Sequence, residues 1–122
     1  MSNGEFTKEE EKRLKLKIRS YYSQDMKSGK IRYNDKYNCY NAHELTLGDI
    51  SGIISKQGLA CYYCREMTQI CPSRNRAHNQ FTLDRIDNNS PHTVPNCLVC
   101  CYSCNVDRSN DYTSEEYRAR KA

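Results

Sequence analysis

The sequence predicts a small α+β domain stabilised by zinc, and three observations indicate it. Two Cys-x2-Cys pairs, Cys61 with Cys64 and Cys101 with Cys104, lie on either side of a strand–turn–strand pattern. Helical patterns precede the first pair and surround the second. Only 37% of the 122 residues are hydrophobic, so the core is expected to be small and to depend on a metal.

The spacing of the cysteines predicts the metal. A two-residue spacer lets both sulfurs of a pair reach one ion at about 2.3 Å, and two such pairs make the common four-thiolate structural zinc site. Four further cysteines are expected to be small buried side chains or free thiols, and these are Cys39, Cys71, Cys97 and Cys100. A second metal site that uses Cys39, Cys71 or His78 is the alternative.

Composition argues against a membrane or secreted protein. The chain has no run of about 18 apolar residues, and its first residues lack the charged-then-apolar pattern of a secretion signal. Eight cysteines would indicate disulfides in a secreted chain, but here they favour metal ligation in a reducing compartment. We therefore expect an intracellular protein, in the cytoplasm or nucleus, with no membrane partner.

The basic residues are concentrated near the start of the chain. The formal net charge is only +4, yet cations outnumber acids in the first forty residues. Such a stretch favours a phosphate-facing surface, and a solvated helix face is the alternative. The cations are Lys8, Lys12, Arg13, Lys15, Lys17, Arg19, Lys27, Lys30, Arg32 and Lys36.

Two helices are predicted before the first cysteine pair. Thr7 and Glu10 have the spacing of a capping box, and the helix that they begin is expected to end near Met26. Its apolar stripe is expected to pack in the core and consists of Leu14, Ile18, Tyr21 and Tyr22. Residues 32–44 show no clear period and predict an ordered loop, which completes a basic N-terminal segment over residues 1–44.

The second predicted helix opens the zinc-bound domain, residues 45–122. It begins after Thr46 and ends at Gly58, and its apolar face consists of Ile50, Ile53 and Ile54. Residues 67–80 are polar and predict a loop.

A hairpin and two more helices are predicted after this loop. Residues 81–87 alternate as a strand does, residues 88–91 have turn chemistry, and residues 97–100 form a short apolar second strand. The helix that follows carries the second cysteine pair, with Asn105 and Arg108 on the same side. It is expected to end near Asn110, and Thr113 is expected to cap a short terminal helix.

The order of these motifs resembles that of the zinc-containing HNH endonucleases, also called ββα-metal or His-Me finger nucleases. The resemblance covers the second half of the chain and is closest to viral and phage members, so a virus- or phage-encoded protein is expected. The matching motifs are Cys61-x2-Cys64, Leu83-Asp84-Arg85-Ile86-Asp87, Asn96, and Cys101-x2-Cys104-Asn105-x2-Arg108. The implied fold is a small zinc-stabilised ββα-metal domain with N-terminal helices.

The resemblance also implies a site. Asp84 and Asn105 would hold a catalytic Mg²⁺ or Mn²⁺ ion, whose preferred ligands are oxygens, beside the structural Zn²⁺. Asn96 would brace the hairpin loop. A backbone-binding groove for DNA would be formed by Arg74, Arg76, Arg85 and Arg108.

Arg85 departs from the family pattern, because it stands where the family has its general base, a histidine. Arginine does not accept a proton at neutral pH. Three explanations stay open. In the first, Asp87, His78 or His92 acts as the base. In the second, a metal-bound hydroxide or the substrate phosphate replaces a side-chain base, and Arg85 stabilises the charge on the phosphate. In the third, the domain binds nucleic acid without cutting it.

Simpler interpretations of these residues are retained. Asp84 and Asp87 would then be an ordinary strand acid and a turn-initiating acid, and His92 would be exposed in the turn.

The sequence thus predicts a metal-dependent DNA endonuclease that hydrolyses phosphodiester bonds, with a non-standard or missing general base. The alternative is a noncatalytic zinc module that binds nucleic acid or protein, as in a viral assembly. An iron–sulfur protein is a third hypothesis. A protein partner is a candidate ligand of the N-terminal half. Specificity would come from this half, from a partner, or from DNA shape.

Overall fold

The computed structural model describes residues 6–74, 77–109 and 111–121 as four helices and two two-stranded antiparallel sheets. The predicted α+β class is confirmed. Arg76, one of the predicted DNA-contacting residues, lies outside the described residues. The elements are α1 Lys8–Lys27, β1 Tyr33–Asn34, β2 Cys39–Tyr40, α2 Leu47–Gln57, β3 Phe81–Arg85, a 3₁₀ turn Val94–Asn96, β4 Cys97–Cys101, α3 Tyr102–Arg108 and α4 Ser114–Lys121.

Helices α1 and α2 begin as predicted. Thr7 and Glu10 form a reciprocal capping box at the start of α1, and Thr46 and Asp49 form a second one at the start of α2. Helix α2 ends at Gly58, whose φ of 88° lies in the left-handed region that favours glycine. These boundaries follow from side chains within one turn, which is why the sequence predicts them.

Residues 32–44 are more regular than the predicted loop. Tyr33 pairs with Tyr40 and Asn34 with Cys39, so the segment forms a small antiparallel hairpin, β1–β2. Asn38 takes a φ of 53° in its turn, a conformation that asparagine tolerates better than most residues. Strands of two residues are too short to produce an alternating pattern, so the sequence contains no hydrophobic period that would predict this hairpin.

The predicted hairpin between the cysteine pairs is present as β3–β4, with Phe81 opposite Cys101 and Asp84 opposite Leu98. Strand β3 ends at Arg85 rather than at Asp87. Cys101 is the last residue of β4 and the N-cap of α3, rather than a helical residue. Helix α3 packs on both strands, which makes a strand–strand–helix unit.

The described residues bury two apolar clusters. The larger one joins α1 and α2 to the β3–β4 hairpin, and its fully buried members are Leu14, Ile50, Phe81, Leu83 and Val99. The smaller one surrounds the cysteine pairs and contains Tyr63 and Tyr117. None of the described helices is both long and apolar enough to cross a membrane.

The four remaining cysteines are free thiols. Cys97 and Cys100 are buried, Cys71 is half-buried and Cys39 is exposed. Among the described residues, the second metal site considered for Cys39, Cys71 or His78 has no corresponding cluster of ligand atoms.

Candidate functional site

The two cysteine pairs converge on one point. Cys61 and Cys64 come from the segment after α2, and Cys101 and Cys104 come from the junction of β4 and α3. Their four sulfurs all lie within 4.8 Å of one another. The Cys64 and Cys101 sulfurs are 3.8 Å apart, which equals the edge of about 3.8 Å expected for a tetrahedron with zinc–sulfur bonds of about 2.3 Å. The donor set therefore fits a zinc ion.

The local backbone supports the sulfurs as thiolates, the form that binds metal. The backbone N–H of Tyr63 donates to Cys61 Sγ at 3.4 Å, and that of Cys104 donates to Cys101 Sγ at 3.4 Å. Side-chain hydrogen bonds from Cys100 and then Cys101 lower the pKa of the Cys61 thiol. The bond to Cys61 and then burial raise the pKa of Cys101, and burial raises that of Cys104, so without a metal one sulfur of the cluster ionises in preference to these two. Arg65, with φ 71°, lets the chain turn back directly after the first pair.

A cavity of about 210 Å³ adjoins the strand–strand–helix unit, and it contains several of the predicted site residues. Asp84 and Arg85 come from the end of β3, Asn105 from α3, and His92 from the loop that joins the two strands. Helix α1 closes one side. The lining residues are Tyr21, Gln24, Leu83, Asp84, Arg85, Asn88, His92, Asn105 and Ser109.

Asp84 is 5% exposed, and both oxygens of its carboxylate accept hydrogen bonds. The Arg108 Nη1 group donates to both carboxylate oxygens at 2.7 Å, and the Tyr63 hydroxyl donates to one of them at 2.5 Å. Burial, and then the bond to Asp84, raises the pKa of Tyr63, so this hydroxyl remains a donor. The charge of Asp84 is thus balanced from within the protein.

Arg108 lies in the interior rather than at a phosphate-facing surface. It is 1% exposed, and it also donates to the Arg85 carbonyl at 2.9 Å and to the Tyr112 carbonyl at 3.1 Å. Its Nη2 group is buried without a hydrogen-bond partner in the described part of the chain. The physical reason is the buried strand acid Asp84, which requires a counter-charge.

Asn105 and Asp84, the two predicted ligands of the divalent ion, both line the cavity. Asn105 donates its side-chain N–H to the Thr82 hydroxyl at 3.3 Å, which leaves its amide oxygen as a ligand atom. Mg²⁺ is commonly held by one or two carboxylates together with waters and substrate phosphate. Asp84 is the one carboxylate among the described lining residues and is neutralised by Arg108. The cavity thus offers one neutralised carboxylate and one amide oxygen, and the four cysteines are the one group of three or more His, Cys, Asp or Glu ligand atoms that converge among the described residues.

His92 is buried, whereas the sequence predicts an exposed turn residue. Its backbone N–H and its Nδ1 both lie 2.8 Å from Asp25 Oδ2, and its ring stacks on Tyr21 with centroids 4.2 Å apart. Because the Asp25 carboxylate accepts from Nδ1–H, the other ring nitrogen, Nε2, carries the lone pair. Burial lowers the pKa of His92, and the bond to Asp25 offsets this in part.

Asp25 is the functional residue that the sequence analysis missed. It is 2% exposed, and its second oxygen lies 3.6 Å from Arg85 Nη1. A signal for it existed, because Asp25 continues the buried stripe of Leu14, Ile18 and Tyr21 at helical spacing. A carboxylate in such a stripe requires a buried partner.

Asp87 and Asn96 shape the loop that carries His92. Asn96 donates to the Asp87 carbonyl at 3.1 Å and to the Pro91 carbonyl at 3.0 Å, and accepts from the Asp87 N–H at 2.9 Å. This is the bracing expected of Asn96. The Asp87 carboxylate accepts from Asn89 and Ser90, which lowers its pKa. Neither residue lines the cavity.

The remaining candidates lie on the surface. The His78 side chain is 66% exposed and lies 3.5 Å from Glu66, and Arg74 is exposed. Arg85 is the predicted DNA-contacting arginine that lines the cavity. Of the three candidate bases, the structure brings His92 together with Asp84 and Asn105.

No protein-family description, curated protein or solved structure matches this chain.

Proposed function

We propose that the protein is a zinc-stabilised endonuclease of the HNH type that hydrolyses phosphodiester bonds of DNA. One observation carries the proposal. A strand–strand–helix unit flanked by four converging cysteines places Asp84, Asn105 and His92 in the lining of one cavity, and His92 Nδ1 is bound to Asp25. Oxygen ligands, a proton acceptor and a cation are the groups that hydrolysis of a phosphodiester requires.

The zinc ion serves the fold in this proposal. Cys101 and Cys104 lie where β4 passes into α3, so their ligation fixes α3, and with it Asn105, against the hairpin. A closed four-thiolate site leaves no ligand position for water, and hydrolysis therefore belongs to the neighbouring cavity.

His92 is the proposed general base. Its Nε2 takes a proton from the attacking water, while Asp25 holds Nδ1–H and stabilises the imidazolium that forms. The Arg85 guanidinium offsets negative charge that develops on the phosphate. A Mg²⁺ or Mn²⁺ ion held by Asp84, Asn105 and the substrate phosphate would polarise the phosphate and stabilise the leaving oxygen.

The assignment of His92 is tested by nicking of supercoiled plasmid in Mg²⁺ or Mn²⁺. His92→Asn keeps an N–H near the Nδ1 position for Asp25 but has no second nitrogen, so we expect the rate to fall about 10²- to 10⁴-fold. His78→Asn is the matched control, because this histidine is exposed, and it should nick as the parent does. Equal rates for parent and His92→Asn would refute the assignment.

The same assay has an expected pH dependence. The groups that face His92 are Asp25 and Tyr21 of α1, Asp84 and Arg85 of β3, and Glu44. Because the pKa of His92 lies below its ordinary 6.5, the base is already neutral at pH 7. The nicking rate should be flat above pH 6.5 and should fall only once the pH drops below the lowered pKa of His92. A rate that keeps rising tenfold per pH unit above neutrality would instead indicate a water whose own ionisation limits the reaction.

A second candidate function is binding of nucleic acid or protein without cleavage, for example in a viral assembly. The Asp84–Arg108 contact favours it, because Arg108 cancels the charge that would attract a metal ion. The variant Arg85→His, which restores the family's histidine, separates the two functions. Nicking by this variant but not by the parent would show a site that lacks its base and would support the binding function.

A further inference from the structure

The β1–β2 hairpin presents three tyrosines to solvent. Tyr33, Tyr37 and Tyr40 are 46%, 67% and 47% exposed, and both strands are exposed along their length. Tyr33 and Tyr40 are cross-strand partners whose ring centroids lie 5.1 Å apart at 74°. Exposed aromatic rings gathered on one short hairpin mark a contact surface. We call these three residues the tyrosine platform.

The hairpin holds the platform in a defined geometry. The Asn41 side chain accepts from the Arg32 N–H at 2.7 Å and donates to the Lys30 carbonyl at 3.1 Å, which ties the two ends together. At the turn, the Tyr33 hydroxyl donates to the Asn38 side chain. The ring pair is therefore arranged before any partner binds, which reduces the entropy lost on binding.

The charge around the platform is positive. Residues 30–40 contain three cations and one acid. The cations are Lys30, Arg32 and Lys36, and the acid is Asp35. Lys36 Nζ lies 5.4 Å from the Tyr37 ring centroid, so a cation adjoins the most exposed ring. Cations beside exposed aromatic faces match a nucleic-acid strand, whose phosphates require the cations and whose bases stack on the rings.

The strand that fits is unpaired. Bases in a duplex stack on one another and offer only their edges in the grooves, whereas the bases of a single strand expose their faces to aromatic side chains. We infer that the tyrosine platform binds unpaired nucleotides of a DNA strand by stacking, with Lys30, Arg32 and Lys36 contacting its phosphates.

The platform is joined to the proposed active site through α1. The Asp25 carbonyl accepts from the Lys30 and Ile31 N–H groups at 2.9 and 3.1 Å, and the Asp25 side chain holds His92. The segment that leads into the hairpin is thus hydrogen-bonded to the residue that holds the proposed base. Resting on the proposed function, this connection assigns a substrate class, DNA with an unpaired segment.

The test measures binding and needs no cleavage. Labelled oligothymidylate of about 16 nucleotides and a duplex of equal length are titrated by fluorescence anisotropy, without divalent metal, against the parent. Tyr37→Ser is compared with Tyr37→Phe, which keeps the ring, and with Lys36→Ala. His78→Asn, which replaces an exposed histidine outside the platform, serves as the control.

The parent is expected to bind the single strand more tightly than the duplex. Tyr37→Ser should weaken single-strand binding about 5-fold or more, Tyr37→Phe should bind as the parent does, and Lys36→Ala should reduce the salt dependence. His78→Asn should bind as the parent does. Because the titration contains no divalent metal and does not depend on cleavage, a failed nuclease assignment leaves this result intact. Unchanged binding by Tyr37→Ser, equal affinity for duplex, or no binding to either DNA would overturn the inference.

Discussion

Replacing Cys101 by serine is expected to release the zinc and unfold the strand–strand–helix unit. Cys101 ends β4, caps α3 and contributes one of the four converging sulfurs. Its loss therefore affects the strand, the helix and the cysteine cluster together. The apparent binding free energy of a structural zinc is about 10–16 kcal/mol, whereas a domain is stable by only about 5–15 kcal/mol. Thermal melting followed by circular dichroism, together with zinc content per chain, measures the effect.

Cys39→Ser provides the matched control, because Cys39 is exposed and lies apart from the cluster. It should retain one zinc per chain and melt as the parent does. A strong chelator should reproduce the Cys101→Ser result in the parent. If Cys101→Ser retained its zinc and melted at the parent's temperature, the four-cysteine site would be wrong.

Elements that depend on neighbouring residues were predictable from the sequence. The two capping boxes, the stop at Gly58 and the terminal helix after Thr113 each follow from side chains within one turn. The convergence of the cysteine pairs was also predictable, although they are distant in the chain, because the spacing within each pair already specifies a shared ion.

Contacts between distant segments were not predictable in the same way. The pairing of Asp25 with His92 joins α1 to the hairpin loop, and the position of each residue in its own segment indicates neither partner. The contact between Arg108 and Asp84 was not predictable for the same reason. The position of Arg108 one turn after Cys104 indicates the face of α3 that it occupies, but only the packing of α3 on β3 determines that Asp84 binds it.

Burial also changes how the site must be tested. If Asp84 were exposed, its replacement by alanine would leave the fold unchanged, and a loss of cleavage would identify it as a metal ligand. Since Asp84 is buried against Arg108, the same substitution leaves a guanidinium without its counter-charge. Stability and cleavage must therefore be measured on the same variants.

Asp84→Ala is expected to lower the free energy of unfolding by roughly 3–5 kcal/mol, the usual cost of removing one partner of a buried ion pair. Arg108→Met should have a similar effect, because it leaves the Asp84 carboxylate uncompensated. The double variant should lose much less than the two single losses added together, since apolar replacement of both partners is often tolerated. Urea unfolding of the parent, the two single variants and the double variant gives the coupling free energy.

The double variant also separates the fold from the chemistry. If it folds and keeps its zinc, failure to nick plasmid would support Asp84 as a ligand of the catalytic ion, independently of its structural contact. Nicking at the parent's rate would remove Asp84 from the proposed mechanism. If the double variant lost as much stability as the two single variants together, the Asp84–Arg108 contact itself would be contradicted, because residues that share an interaction must show a coupling free energy.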